Sequence, residues 1–124
     1  MRKTVLVVED EAEVRRAFRQ ALTFAGYDVR EAGDGYDALH AVEQHRPDLI
    51  VLDLLLPRVT GFAVHQEIAS HAHTRSIPIV VVTGSDLQLE GLEVACVLRK
   101  PVQPDELVEA VGRCLASGSP TAGA

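Results

Sequence analysis

The chain has 124 residues, 47% hydrophobic and only 4% aromatic, which suits one domain with a core of Val, Leu, Ile and Ala. Its formal net charge of −6 argues against a nucleic-acid-binding surface. No apolar run approaches the roughly 18 residues that span a bilayer, and the opening MRKTVLVVED turns acidic too early for a secretory signal, so the expected setting is cytoplasmic.

In chain order, apolar strand-like runs alternate with helix-like segments. Thr4–Val8 (TVLVV) reads as a first strand. Glu11 to Ala25 reads as a helix carrying Val14, Phe18 and Leu22 at four-residue spacing, and Gly26 ends it. Tyr27–Glu31 is a short second strand, and Gly35 to His45 a second helix with Ala38, Leu39 and Val42 on one face. Pro47 opens a third strand that ends near Asp53. Gly61 to His71 is a third helix, Ile77–Val82 a fourth strand and Ala95–Arg99 a fifth. Pro104 opens the last helix, where its missing N–H costs nothing, and Leu107, Val108, Val111 and Leu115 form its inner side. The segment TGSDLQLEGLEV between the last two strands lacks a clean helical stripe, with Gly91 interrupting Leu87, Leu89 and Leu92, so one or two irregular turns are expected there. The tail SGSPTAGA reads as a flexible end or the start of a linker, leaving residues 1–116 as the domain and 117–124 outside it.

Strands alternating with helices imply a parallel sheet covered on both faces, and runs that are apolar at nearly every position fit such strands. Ligands then sit beyond the carboxyl ends of the strands. The residues at those ends are polar. Glu9, Asp10 and Glu11 follow the first strand, Asp53 ends the third, Thr83, Gly84 and Ser85 follow the fourth, and Arg99 and Lys100 close the fifth before Pro101. Asp53 interrupts the most apolar stretch of the chain, DLIVLDLLLP. A carboxylate there is explained if it emerges into a pocket shared with Glu9 and Asp10. Clustered carboxylates repel strongly at low dielectric, and a hard divalent cation with oxygen ligands, Mg²⁺ or Mn²⁺, relieves the repulsion. A carboxylate, a metal, a lysine and a hydroxyl together suit phosphoryl transfer through an aspartyl phosphate.

These pieces resemble the receiver domain of two-component response regulators over residues 3 to 116. VLVVEDE is similar to that family's first strand and acidic pair, LIVLDLLLP with TGF to its phosphoacceptor strand and loop, IPIVVVTGS to its fourth strand and switch hydroxyl, and VLRKPVQPDEL to its lysine–proline corner. The resemblance implies an α/β, flavodoxin-like doubly wound sheet of five parallel strands in the order 2-1-3-4-5, with helices on both faces and a short or irregular fourth helix. It implies that Asp53 accepts a phosphoryl group from a sensor histidine kinase or a histidine phosphotransfer protein. It further implies that Asp10 binds Mg²⁺ directly, Glu9 mainly through water, and the Leu55 backbone carbonyl as another ligand. Thr83 would bond a phosphate oxygen after activation, Lys100 would pair with another, and the Lys100–Pro101 peptide would be cis, which only an X–Pro bond does cheaply. By the same resemblance the module is a switch rather than a turnover enzyme. It would signal to an output domain or downstream protein, as a monomer or weak homodimer.

Two departures bear on output. Val97 stands three residues before Lys100, where many family members carry Tyr or Phe, and the fourth-helix region is short. They keep open a receiver-like interaction module with lost or atypical switching. A Mg²⁺-dependent phosphohydrolase with an aspartyl nucleophile is the other alternative. Leu55 counts against it, since such enzymes use a second acid two residues after the nucleophile. Among the other polar residues, His65, His71 and His73 read as solvated surface, and Arg15, Arg16 and Arg19 as a solvated helix face with kinase docking as the functional alternative. Cys96 and Cys114 have no metal-ligand spacing and read as reduced core or near-core residues.

Overall fold

The computed structural model describes residues 2–84 and 94–117. The chain runs β1 (Thr4–Val8), α1 (Ala12–Phe24), β2 (Asp28–Ala32), α2 (Gly35–Gln44), β3 (Leu49–Asp53), α3 (Gly61–Ser70), β4 (Ile79–Thr83), β5 (Cys96–Arg99) and α4 (Pro104–Ser117). The strands form one sheet in the order β2-β1-β3-β4-β5, every neighbouring pair parallel. The flavodoxin-like arrangement implied by the resemblance is the one observed.

The alternation of side chains along each strand divides the core into two layers. Leu6, Val8, Ile50, Leu52, Ile79 and Val81 point to one face and pack with Ala38 and Val42 of α2 and Val64 and Ile68 of α3. Val5, Val7, Leu49, Val51, Val80 and Val82 point to the other and pack with Phe18 and Leu22 of α1 and Leu107 and Val111 of α4. The three central strands are buried at every position. That explains their unbroken apolar sequences, whereas β2 at the sheet edge is largely exposed. Gly26 adopts φ +104 after α1, the left-handed turn that releases the chain toward β2.

The structure moves some boundaries. The fourth strand begins at Ile79 rather than Ile77 and takes in Thr83. Pro78 has no N–H for the ladder, and its carbonyl instead accepts from Ile50 N at 3.0 Å. The second strand begins at Asp28 rather than Tyr27, and α4 runs through Ser117. The expectation of irregular turns through Leu87, Leu89, Gly91 and Leu92, like that for Ser85, falls outside the described residues, as does the tail beyond Ser117.

His65 is not surface: it is only 9% exposed. It shares the inner face of α3 with Gly61, Val64 and Ile68, the one-four-five-eight spacing of a buried helical stripe. His71 and His73 are exposed as expected, His71 pairing with Glu67. Cys96 and Cys114 are free thiols, and burial raises the Cys114 pKa.

Candidate functional site

Four strand ends deliver the polar residues to one rim. Glu9 continues β1, its N–H bonding the Ala32 carbonyl at the end of β2 at 3.1 Å. Asp53 is the last residue of β3 and Thr83 the last of β4, while Lys100 directly follows β5 and donates its backbone N–H to the Thr83 carbonyl at 2.9 Å. The Lys100–Pro101 peptide is cis, as the resemblance implied. Glu9, Asp53 and Thr83 are buried, Asp10 is exposed, and Gly84 is exposed beside Lys100, whose Cβ lies 3.6 Å from where a Gly84 Cβ would stand.

Asp53 is 4% exposed, and each of its oxygens has a donor: Oδ1 accepts from Leu55 N at 3.0 Å, and Oδ2 lies 3.1 Å from Lys100 Nζ. Glu9 Oε2 accepts from Glu11 N at 3.1 Å. Its Oε1 lies 2.7 Å from Lys100 Nζ, an ion pair by distance that lacks hydrogen-bond alignment, so this buried oxygen is short of a directed donor. Burial, with the Asp53 charge adding to it, pushes the Glu9 carboxyl above its usual range against the opposing pull of the Lys100 ammonium and the Glu11 N–H. Burial alone would lower the Lys100 ammonium, but its pairing with the Glu9 and Asp53 carboxylates outweighs it and leaves its pKa raised.

Glu9, Asp10 and Asp53 each offer one carboxylate oxygen, all within 4.8 Å of one another. Three acidic oxygens gathered so closely, beside a Glu9 oxygen that lacks an aligned donor, fit a hard divalent cation such as Mg²⁺. The residues expected to share a pocket from sequence do share it. Leu55 is 55% exposed while its neighbours Leu54 and Leu56 are buried, and its backbone N–H is tied to Asp53. Val97 is partly exposed on β5, in register with Val81.

Three residues of this neighbourhood were not recognised as part of it. Arg15 is half-buried rather than part of a solvated helix face. Its Nη1 donates to the Glu9 carbonyl at 2.7 Å, and its Nε lies 3.4 Å from Glu31, which also holds Arg19 at 3.3 Å. Asp34, buried at the start of α2, accepts from Asp37 N at 2.8 Å and pairs with Arg58 of the loop after β3. The cap position of Asp34 was legible from its place before the second helix. The partnerships with residues far along the chain carry no local signal.

Comparison with known proteins agrees with this geometry. Residues 5–112 match the family model of the response regulator receiver domain. Among curated proteins, the phosphate regulon transcriptional regulatory protein PhoB of Pseudomonas aeruginosa is 37% identical over 111 residues, covering 86% of this chain and 48% of that protein. The response regulator MprA of a Mycobacterium species is 36% identical over 124 residues, covering 96% of this chain and 53% of MprA. The chain therefore spans about half the length of these curated relatives. Among solved structures, chemotaxis response regulator CheY4 of Vibrio cholerae superposes with a TM-score of 0.85 at 27% identity, covering 92% of this chain and 99% of CheY4. The receiver domain of the Pseudomonas aeruginosa sensor histidine kinase PA1611, solved with a magnesium ion in its active-site cleft, gives 0.85 at 27%, covering 94% and 99%. By matched sequence, strand order and the acids and lysine gathered at one rim, the chain belongs to the response regulator receiver domain family, the signalling module of two-component phosphorelays.

Proposed function

We propose that Asp53 is the phosphoacceptor of this receiver and that phosphorylation switches the surface around Thr83, Gly84 and Val97. The observation that carries the reading is the convergence of three carboxylates, two from the end of β1 and one from the end of β3, with Lys100 from the end of β5 among them. A buried Asp53 with both oxygens held is oriented before the phosphoryl group arrives.

The donor is the phosphohistidine of a sensor histidine kinase or histidine phosphotransfer protein. An Asp53 oxygen attacks phosphorus as the P–N bond breaks. The electron pair of that bond stays on the imidazole nitrogen, which then takes a proton from solvent. Bound Mg²⁺ or Mn²⁺, held by Asp10, Asp53 and the Leu55 carbonyl with Glu9 directly or through water, would neutralise the carboxylates and the charge on the transferring group. Lys100 contributes a point charge for a phosphate oxygen, and the Leu55 N–H keeps the aspartate oriented. The new acyl phosphate attracts the Thr83 hydroxyl, a local change in charge that biases a two-state equilibrium. The module is a switch rather than a turnover enzyme.

The chain spans about half of PhoB and MprA, so the reading includes an output domain or downstream protein as the recipient of the signal. Among the described residues no helix is long and apolar enough to cross a membrane, which accords with a cytoplasmic place of action. The test is labelling by acetyl phosphate or a cognate kinase in Mg²⁺. The wild-type chain should take up phosphate that alkali releases, as an acyl phosphate does, and Asp53→Asn should take up none. Normal labelling of Asp53→Asn would overturn the assignment.

A further inference from the structure

The segment from Leu54 to Thr60 joins the proposed phosphoacceptor to α3 and carries the Leu55 amide that holds Asp53. Its ends are tied locally. Leu54 and Leu56 sink into the core, Gly61 N bonds the Leu54 carbonyl at 3.1 Å, and Thr60 caps α3 by accepting from Ala63 N at 3.2 Å. Between those ends lies the middle of the segment, where Val59 packs on the core. There Arg58 takes up φ 64, a left-handed conformation that a non-glycine residue adopts only when its surroundings impose it.

The start of α2 supplies those surroundings. The Arg58 guanidinium bonds Asp34, a buried carboxylate already fixed by its cap to Asp37 N. The two partners thus differ in freedom: Asp34 is an anchored post, and Arg58 is an exposed side chain reaching to it. Asp37 adds a weaker attraction for the same guanidinium. One residue on, the Val59 carbonyl lies so close over Gly35 that any Cβ there would collide with it. The loop therefore rests on α2 at two successive positions, through an ion pair and through backbone packing.

We infer that Arg58 is a positioning residue, its pairing with Asp34 holding the loop after β3 so that the Leu55 backbone meets Asp53 and the metal in the productive geometry. The inference rests on the phosphoacceptor reading above and extends it: an ion pair between the loop after β3 and the cap of α2, touching neither phosphate nor metal, sets the site's readiness. Partners behind a first ligand commonly change metal affinity or activity about 10–100-fold when removed.

The experiment is a Mg²⁺ titration of ¹⁵N-labelled protein, following the Asp53 and Leu55 amides, with acetyl phosphate uptake measured in parallel. Arg58→Ala should weaken Mg²⁺ binding about tenfold. In metal-free protein it should shift the Leu55 amide and hasten its hydrogen exchange. Arg58→Lys should restore part of the affinity. Arg58→Gly, which suits the left-handed backbone but lacks the guanidinium, should behave as Arg58→Ala. Asp34→Asn keeps a capping oxygen for Asp37 N yet loses the charge, so it should match Arg58→Ala, and the double variant should be no worse than either single one. Wild-type affinity and an unmoved Leu55 amide in Arg58→Ala would overturn the inference. So would additive losses in the double variant. If the wild-type protein itself neither binds Mg²⁺ nor takes up phosphate, the phosphoacceptor reading fails, and this inference with it.

Discussion

Glu9 and Lys100 meet across most of the sheet: they follow β1 and β5, with β3 and β4 lying between, yet Glu9 Oε1 and Lys100 Nζ are 2.7 Å apart. The lysine reaches over Asp53 on the way, 3.1 Å from its Oδ2. One ammonium thus serves two buried carboxylates, and among the described residues neither carboxylate has another cation that close.

This sharing makes the lysine a stand-in for a metal ion. Lys100→Ala leaves Glu9 and Asp53 buried without a counter-charge. The cost should be about 2–3 kcal/mol, somewhat under the ~3–5 expected for a wholly buried pair because Lys100 is partly open to solvent. A ligand that binds only the folded state stabilises it in proportion to its binding. Mg²⁺ should therefore raise the Tm of Lys100→Ala more than that of the wild type, while phosphate uptake by the variant falls. Thermal melts with and without Mg²⁺ check this, and equal Mg²⁺-induced shifts in the two proteins would refute it.

Gly61 marks where α3 begins against the end of β3. A side chain there would collide with the Asp53 carbonyl oxygen and with Leu54 Cα, both backbone atoms that cannot swing aside. Gly61→Ala should accordingly cost about 1–3 kcal/mol, the usual penalty of overpacking. It should also displace Asp53, so Mg²⁺ affinity should fall in parallel with stability. Chemical denaturation and Mg²⁺ titration of the same variant measure both. A stability loss with unchanged Mg²⁺ affinity would show that the clash relaxes away from the site.

The sequence made the strands and the rim residues visible for one reason: burial on both faces forces β1, β3 and β4 to be apolar throughout, so the acids at their ends stand out. Edge strands carry weaker patterns, and the start of β2 was accordingly misplaced by one residue. The burial of His65 is legible in its spacing from Gly61, Val64 and Ile68, which places an imidazole on the inward stripe of α3. Arg15 and Arg58 were harder. Arg15 looks like any helix-surface arginine until β1 and β2 bring Glu9 and Glu31 beside it. The pairing of Arg58 with Asp34 spans 24 residues of sequence and depends on how two loops meet at the sheet edge, which no local pattern encodes.

The Asp34 anchor also makes an acid-limb prediction. The Asp37 backbone N–H, and after it the hydrogen bond from Arg58, hold the Asp34 carboxyl below its ordinary value of 3.8. An acid whose pKa is lower in the folded state releases its proton more readily there. The unfolded chain binds more protons around that pH, so the stabilisation is present above 3.8 and is lost as pH falls through the folded value. Asp34→Asn has no such proton to bind. The stability difference between wild type and Asp34→Asn should therefore hold steady at neutral and mildly acid pH and shrink below 3.8. Urea midpoints measured across the acid range test it. A difference that stays constant through that range would mean that the charge of Asp34 contributes nothing to the fold, and that the carboxylate acts at α2 as a neutral cap alone.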